Sequence, residues 1–366
     1  MNIQISRGEL LSALQSVIGV VERRQSLPVL GNLLLEAKDD LLTLTGTDLE
    51  LQVERKVRIQ NLVPGRITAP ARKLHDICRG LPEGAMLSLE YADNKLTLKS
   101  GRSRFALATL PAEEFPVFSS DPTDVKLELS NRELKDLLSR TQFAMAQQDV
   151  RYYLNGLLLE IRPSRLRTVA TDGHRLAMAE LGREHSAKKD TQVILPRKTV
   201  IELQRLLDTS EAPVTLSLTA NQIQVDVEDL RLTSKLIEGR FPDYERVIPE
   251  DSDKIVKCGR LKVRAALARA AILSNEKFRG VRLTLEADML RIQTQNPEQE
   301  EAEEEVEIEY GGSSLEIGFN VSYLLDALDA IEGEEFIFKL RSSDASGLIH
   351  DAAQASGKFV VMPMRL

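Results

Sequence analysis

The run Thr171-Asp172-Gly173-His174-Arg175 sets a carboxylate two residues before an imidazole, a pairing that could act as a general base with an orienting acid. Residues i and i+2 of one turn rarely reach that geometry, and no G-x-S-x-G nucleophile turn accompanies them. A hydrolase using Asp172 and His174 stays open as the lesser reading. His75, His185 and His350 have neither H-x-x-x-H spacing nor an acidic accompaniment suited to a metal. Cys78 and Cys258 are far apart with no C-x-x-C partner, so neither a disulfide framework nor a thiolate zinc site is expected. Gly357-Lys358 lacks the upstream Gly and the following hydroxyl of a phosphate-binding loop. These residues call for no metal and no cofactor. The last residues, Phe359 to Leu366, remain apolar to the end, where chains are usually polar and frayed. Two readings fit: a final core strand containing Phe359 and Val361, or an exposed wall of Met362, Pro363, Met364 and Leu366, since Met repacks around different partners.

The elements that must position these residues recur. Ser119 to Asp124 and Pro249 to Asp253 interrupt the apolar alternation with Ser, Asp and Pro and cut the chain near its thirds, giving expected domains at 1–122, 126–248 and 254–366. Ser6 and Ser130, Glu36 and Glu160, and Thr47-Asp48 and Thr171-Asp172 share one offset, so the first two thirds read as a duplication. The third is fainter: Phe278 to Glu286 matches Leu154 to Glu160, but Thr294-Gln295-Asn296 replaces the Thr-Asp pair. The period is too long for a solenoid, which makes these repeated domains.

Ser6-x-x-Glu9 and Ser130-x-x-Glu133 are capping boxes, each opening a helix. The first is expected to bury Leu10, Leu11, Leu14, Val17, Ile18 and Val21, the second Leu134, Leu137, Leu138 and Thr141. In the third repeat Lys257 takes the Ser position, and the helix keeps Leu261, Val263, Leu267, Ala270 and Ala271 on its apolar face. Pro70 and Pro196 each precede a second helix after a strand. Each third thus reads as strand, helix and strands, twice over, an α+β domain with two helices covering sheets.

Composition narrows the class. The 366 residues carry 48 Lys+Arg against 56 Asp+Glu, a net charge of −8, which argues against a surface that is basic throughout. Six Tyr, ten Phe and no Trp leave few of the stacking platforms of single-strand binders. The opening Met-Asn-Ile-Gln-Ile-Ser lacks a signal region, and no apolar run nears the roughly 20 residues that span a bilayer, so a soluble, unexported, cytoplasmic protein is expected. Charge is segregated, however. The six expected helices, at 7–24, 72–80, 131–146, 197–208, 260–273 and 321–331, together carry +7 within a chain of net −8. Sharing one face, they would attract phosphates by counterion release without reading sequence. The helix at 321–331 is acidic and has no account at this level. Lys99, Arg102 and Arg104 near the end of the first repeat face, in sign, Glu298, Glu300, Glu301, Glu303, Glu304 and Glu305 of the third, an asymmetry suited to head-to-tail contact in a two-fold dimer.

Thr45 to Glu50, Pro70 to Lys73, Asp76 to Pro82, Gln148 to Gly156, Val169 to Leu176, Gly239 to Tyr244, Asn275 to Gly280 and the ending Met362-Pro363-Met364-Arg365-Leu366 together resemble the bacterial DNA polymerase III β subunit family, the replicative sliding clamps. The likeness runs from the first strand to the last residue. It implies three clamp domains per chain, each with two helices on an inner face and antiparallel sheets outside, and a dimeric ring around duplex DNA. It also implies a non-catalytic processivity factor. The partners would be replicative and translesion polymerases, the clamp loader, and repair and ligation proteins that dock through short linear peptides. A β-rich protein-binding scaffold that does not encircle DNA is the alternative.

By matching positions, the resemblance implies a peptide pocket of Arg151, Leu154, Thr171, Gly173, His174, Arg175, Leu176, Pro242, Arg246, Val247, Asn320, Tyr323, Val360, Met362, Pro363, Met364 and Arg365. It implies DNA-facing roles for Arg24, Arg72, Arg79, Gln148, Tyr152, Tyr153, Lys198 and Arg205. At the subunit joint it implies apolar contacts by Phe105, Leu107, Ile272 and Leu273, with Lys73, Arg102 and Arg104 opposite Glu298, Glu300, Glu301 and Glu304.

Overall fold

A computed structural model describes residues 1–22, 27–119, 125–184 and 190–365. Arg24, His185, most of the first Ser-Asp-Pro linker and Leu366 lie outside the described residues. Six α-helices occur among the described residues: α1 Arg7–Val17, α2 Ala71–Gly80, α3 Asn131–Ser139, α4 Arg197–Leu206, α5 Arg260–Ala270 and α6 Val321–Asp329. A strand enters each helix and three or more follow it, so every third runs through the same strand-helix-strands order twice.

The helix starts follow the side chains. Ser130 Oγ accepts from the Glu133 amide at 3.2 Å while the Glu133 carboxylate accepts from the Ser130 amide at 2.8 Å, a reciprocal box. Ser6 Oγ likewise accepts from the Glu9 amide, but there the Glu9 carboxylate accepts from the Ser6 hydroxyl at 2.6 Å and not from its amide, and Asn320 caps Ser322 and Tyr323 at the head of α6. Two helices end sooner than their apolar patterns suggest. α1 stops at Val17 and tightens into a 3₁₀ turn at Ile18–Val20. α3 stops at Ser139, where Thr141 Oγ1 donates to the Leu137 carbonyl at 2.9 Å and competes with the helical ladder. Leu11 and Ile18 are only half-buried. Leu261, at 63% exposure, points to solvent: the buried stripe of α5 is Val263, Ala266, Leu267 and Ala270, at i, i+3, i+4 and i+7, and Leu261 falls off it.

Contacts divide the chain into two compact units, Met1–Leu134 with Ile201–Leu236, and Lys135–Val200 with Ile237–Leu366. The first holds a five-stranded sheet, ordered 60–63, 2–6, 86–92, 95–100, 103–108. Its eight-stranded sheet is ordered 125–130, 213–218, 222–227, 230–235, 51–58, 41–47, 32–38, 65–70. Strand Leu230–Lys235 pairs with Leu51–Arg58, Leu232 opposite Val53, so one sheet joins residues of the first and middle thirds. The second unit repeats the device: Arg175–Gly182 pairs with Gly357–Val361, Ala177 opposite Phe359, inside an eight-stranded sheet, next to a four-stranded sheet ordered 301–307, 289–295, 280–286, 315–320. The unit boundary cuts the middle third because each large sheet takes half of its strands from there. All these pairings are antiparallel, and alternate side chains enter the core.

Candidate peptide groove and charged surfaces

The Thr-Asp pair is a turn device in both repeats. Thr171 Oγ1 donates to the Arg175 carbonyl at 2.6 Å and accepts from the Gly173 amide, while Asp172 Oδ1 accepts from the amides of His174 at 2.9 Å and Arg175 at 3.1 Å. Thr47 and Asp48 make the same four bonds to residues 49–51. The third central residue has a left-handed backbone in both, Leu49 at φ 78° and Gly173 at φ 88°. With Oδ1 held by its own turn and Oδ2 by Arg175 Nε at 3.1 Å, Asp172 makes no bond to the His174 ring. The first repeat keeps the turn with Glu50 in place of the His. A catalytic Asp172–His174 pair is therefore overturned, because backbone geometry explains the motif.

Around this turn lies a cluster of cations held in fixed poses. Arg175 stacks on the Tyr323 ring at 4.3 Å and the Phe143 ring at 5.3 Å, donates to the Phe143 carbonyl at 2.6 Å, and pairs with Asp326 of α6. Burial, with the nearby Asp172 charge, pushes the Tyr323 phenol upward. Arg151 clasps Asp149 at 2.8 Å and reaches the Asp172 carbonyl at 3.3 Å. These bonds hold the Asp149 carboxyl down at about 2. A Cβ at residue 173 would lie 3.0 Å from Arg151 Nη2, so that position favours glycine on space as well as φ.

Beneath the cations Leu154, Leu176 and Val360 are buried in one apolar cluster with Phe241, Tyr244 and Leu348. They form floor, while Met362 and Val247, exposed by 37% and 36%, with half-buried Thr171, Tyr323, Pro363 and Met364, are what a ligand could touch. His174, Pro242, Arg246 and Arg365 are exposed at the rim, and Arg246 pairs with Asp243 at 2.8 Å. Asn320 caps α6 and donates to the Phe278 carbonyl at 3.3 Å. The tail is both of the things its sequence allowed: Phe359 and Val361 are core, and Met362 to Arg365 emerge, exposed or half-buried, while Leu366 lies outside the described residues. Two amides tie it, Met362 to the His174 carbonyl at 3.0 Å and Met364 to the Gly318 carbonyl at 2.9 Å. Cavities of about 950 and 560 Å³ open beside Met364 and Arg365.

Sequence reasoning missed Phe143, Asp326, Tyr244 and Arg167, whose partners are distant in the chain. It also left the acidity of α6 without a cause. Asp326 pairs with Arg175, and Asp329 with Arg264 of α5 at 3.0 Å, so both carboxylates are committed to arginines. On α5, Arg269 binds Glu304 at 2.7 Å, which lowers that carboxyl, and Arg260 donates to the Gly333 carbonyl at 2.7 Å. Much of the positive charge counted on α5 is thus already paired within the chain.

Of the expected DNA-facing set, Arg72 and Arg79 are exposed on α2, with Arg72 donating to the Val21 carbonyl at 2.9 Å. Gln148 is exposed at φ 57°, Tyr152 is 57% exposed, and Tyr153 and Lys198 are half-buried. Arg205 holds the carbonyls of Gln15 and Ser16 at 2.8 and 2.6 Å and pairs with buried Glu202. Of the joint set, Lys73, Arg102, Arg104, Glu298, Glu300 and Glu301 are exposed, Ile272 is 76% exposed, and Phe105 and Leu273 are half-buried. Leu107 is buried within its own chain. Strands Ser103–Ala108 and Glu301–Glu307 are sheet edges, each with one hydrogen-bonding side unpaired among the described residues.

Family models for the DNA polymerase III beta subunit match in chain order: N-terminal domain over 1–119, central domain over 128–243 and C-terminal domain over 245–365. The chain is 51% identical to the beta sliding clamp of Pseudomonas aeruginosa and 50% identical to that of Escherichia coli K12, over 100% of each chain. Among solved structures, a P. aeruginosa sliding clamp bound to griselimycin superposes at TM-score 0.97 with 51% identity over 100% of both chains. A Caulobacter crescentus beta sliding clamp superposes at 0.96 with 41% identity, over 100% of this chain and 99% of that one. Full-length likeness at this level, added to the thrice-repeated architecture, means that the chain belongs to the DNA polymerase III beta subunit family, the sliding clamps that serve polymerase processivity and catalyse no step.

Proposed function

We propose that two copies of this chain close a ring around duplex DNA and carry polymerases and other replication and repair proteins on the groove beside Arg175. The carrying observation is the pair of open edges. Ser103–Ala108, with Arg104 and adjacent Arg102, and the acidic Glu301–Glu307 have free backbone groups and opposite charge, so a two-fold pair can join them twice. Ile272, exposed by 76%, and Leu273 supply apolar contact at that joint. Domains at 1–122, 126–248 and 254–366 would each contribute two helices to the inner wall.

Arg72, Arg79, Gln148, Tyr152 and Lys198 would meet the phosphates loosely; Arg205, already engaged with two carbonyls, would contribute mainly by fixing α4. Non-specific contacts of about 10⁻⁴ to 10⁻⁶ M permit sliding while closure prevents escape. In the groove, Leu154, Leu176 and Val360 would floor a site for Leu or Phe anchors, with Met362 adapting to each guest. Tethering raises a partner's effective concentration at the primer end. Such a protein works where the chromosome is, in the cytoplasm.

The decisive test loads the purified protein onto a nicked circular plasmid with its clamp loader. Retention on the circle and release on linearisation are expected. Equal retention on both forms would replace encirclement with adhesion, and no retention on either would favour a protein scaffold.

A further inference from the structure

Segment 241–247 forms one side of the groove, yet it belongs to no sheet: it folds into the 3₁₀ turn Tyr244–Val247, capped by a 3.3 Å amide bond from Ile248 to Glu245. Phe241 and Tyr244 anchor it in the apolar cluster, and a buried guanidinium ties its polar groups to the sheet. Arg167, 9% exposed on strand Arg165–Thr171, donates to the Tyr244 hydroxyl at 2.6 Å and to Glu245 at 3.0 Å. Its other edge binds Glu180 of the adjacent strand at 2.6 Å. Tyr244 in turn donates to Glu160, 1% exposed, which also accepts from Gln192 at 2.7 Å. Burial opposes the charge on Arg167, and its bonds to Tyr244 and Glu180 more than offset that, so it stays protonated.

We propose that Arg167 is a positioning residue for the peptide groove, setting the height of the segment that carries Pro242, Arg246 and Val247 over the floor of Leu154 and Leu176. The inference rests on the groove reading above. Arg167 does not itself reach the groove, because it is buried behind Tyr244, whose ring packs in the same cluster as that floor. A planar fork with several donors can bridge Glu180, Tyr244 and Glu245 at once, which an ammonium cannot do with the same geometry. Without the fork, Tyr244 keeps its 3.3 Å bond to Glu160, while Glu245 loses this partner.

The experiment uses the full-length protein and a synthetic peptide carrying Gln, Leu and Phe anchors, titrated by calorimetry. Arg167→Met is expected to weaken the peptide about tenfold, the scale of a lost charged hydrogen bond. Tyr244→Phe keeps the ring in its cluster, removes only the hydroxyl, and is expected to weaken it by a smaller factor. Hydrogen exchange should quicken at amides 243–247 in both variants and not in strands 156–162 and 165–171. Unchanged affinity in both variants would overturn the proposal. So would faster exchange through the whole sheet, which would make Arg167 a general stabiliser. A wild-type protein that fails to bind the peptide would instead remove the groove reading itself.

Discussion

At the residue scale, the turn at 171–175 shows how a motif can look reactive and be architectural. The four bonds of Thr171 and Asp172 recur at Thr47 and Asp48, where no imidazole follows, so the types and spacing encode a backbone shape. The fixed offset between the two Thr-Asp pairs was legible in the sequence; the turn bonds behind it were not. The clasp of Arg151 on Asp149 makes a pH prediction. The folded carboxyl is held at about 2, below the usual value near 4 in an unfolded chain. Its contribution is therefore present above about pH 4 and is lost as the pH falls through about 2. A carboxyl titration followed by NMR should show this low midpoint, and Arg151→Ala should raise it part of the way toward the ordinary carboxylate range, since the residue 151 amide still donates to the carboxylate. A midpoint indifferent to Arg151 would place the cause elsewhere. What the sequence hid here was Arg175's company: Phe143 arrives from the turn at 142–144 and Tyr323 and Asp326 from α6, and no local pattern announces a stacked guanidinium.

At the element scale, helix starts were readable and helix ends were not. A capping box is local, so Ser130 and Glu133 could be named from spacing alone. Ser130→Ala should cost about 1 kcal/mol of stability, measured as a lower denaturant midpoint with an unchanged slope. No measurable shift would mean that the Glu133 carboxylate alone holds that end. The ends depend on partners elsewhere. Just beyond α1, a Cβ on Gly19 would lie 2.5 Å from the carboxylate of Glu202 on α4, and the carbonyls of Gln15 and Ser16 near the end of α1 are taken by Arg205. Apolar periodicity running on through Ile18 and Val21 cannot report that crowding. Likewise the charge of α6 had no local explanation, because its two aspartates answer arginines of another strand and another helix.

For the whole molecule, the repeat was legible because every third keeps one element order, and the faint third copy still folds as the offset implies. The proposed joint between copies was read from charge and from the resemblance, which already included Ile272, and the 76% exposure of Ile272 leaves it free to make apolar contact there. The double variant Ile272→Ala with Leu273→Ala should sediment as a monomer at concentrations where the wild type is a dimer; an unaltered sedimentation coefficient would reject this joint. One feature governs how such a pair could part. Both junctions between thirds are crossed by continuous hydrogen-bonded ladders, Leu230–Lys235 on Leu51–Arg58 and Arg175–Gly182 on Gly357–Val361. Each ladder acts as a girder, and prying at it would mean shearing many bonds together. In the proposed ring a door for a strand of DNA would swing at the seam between copies, where a few side chains can be unzipped one after another.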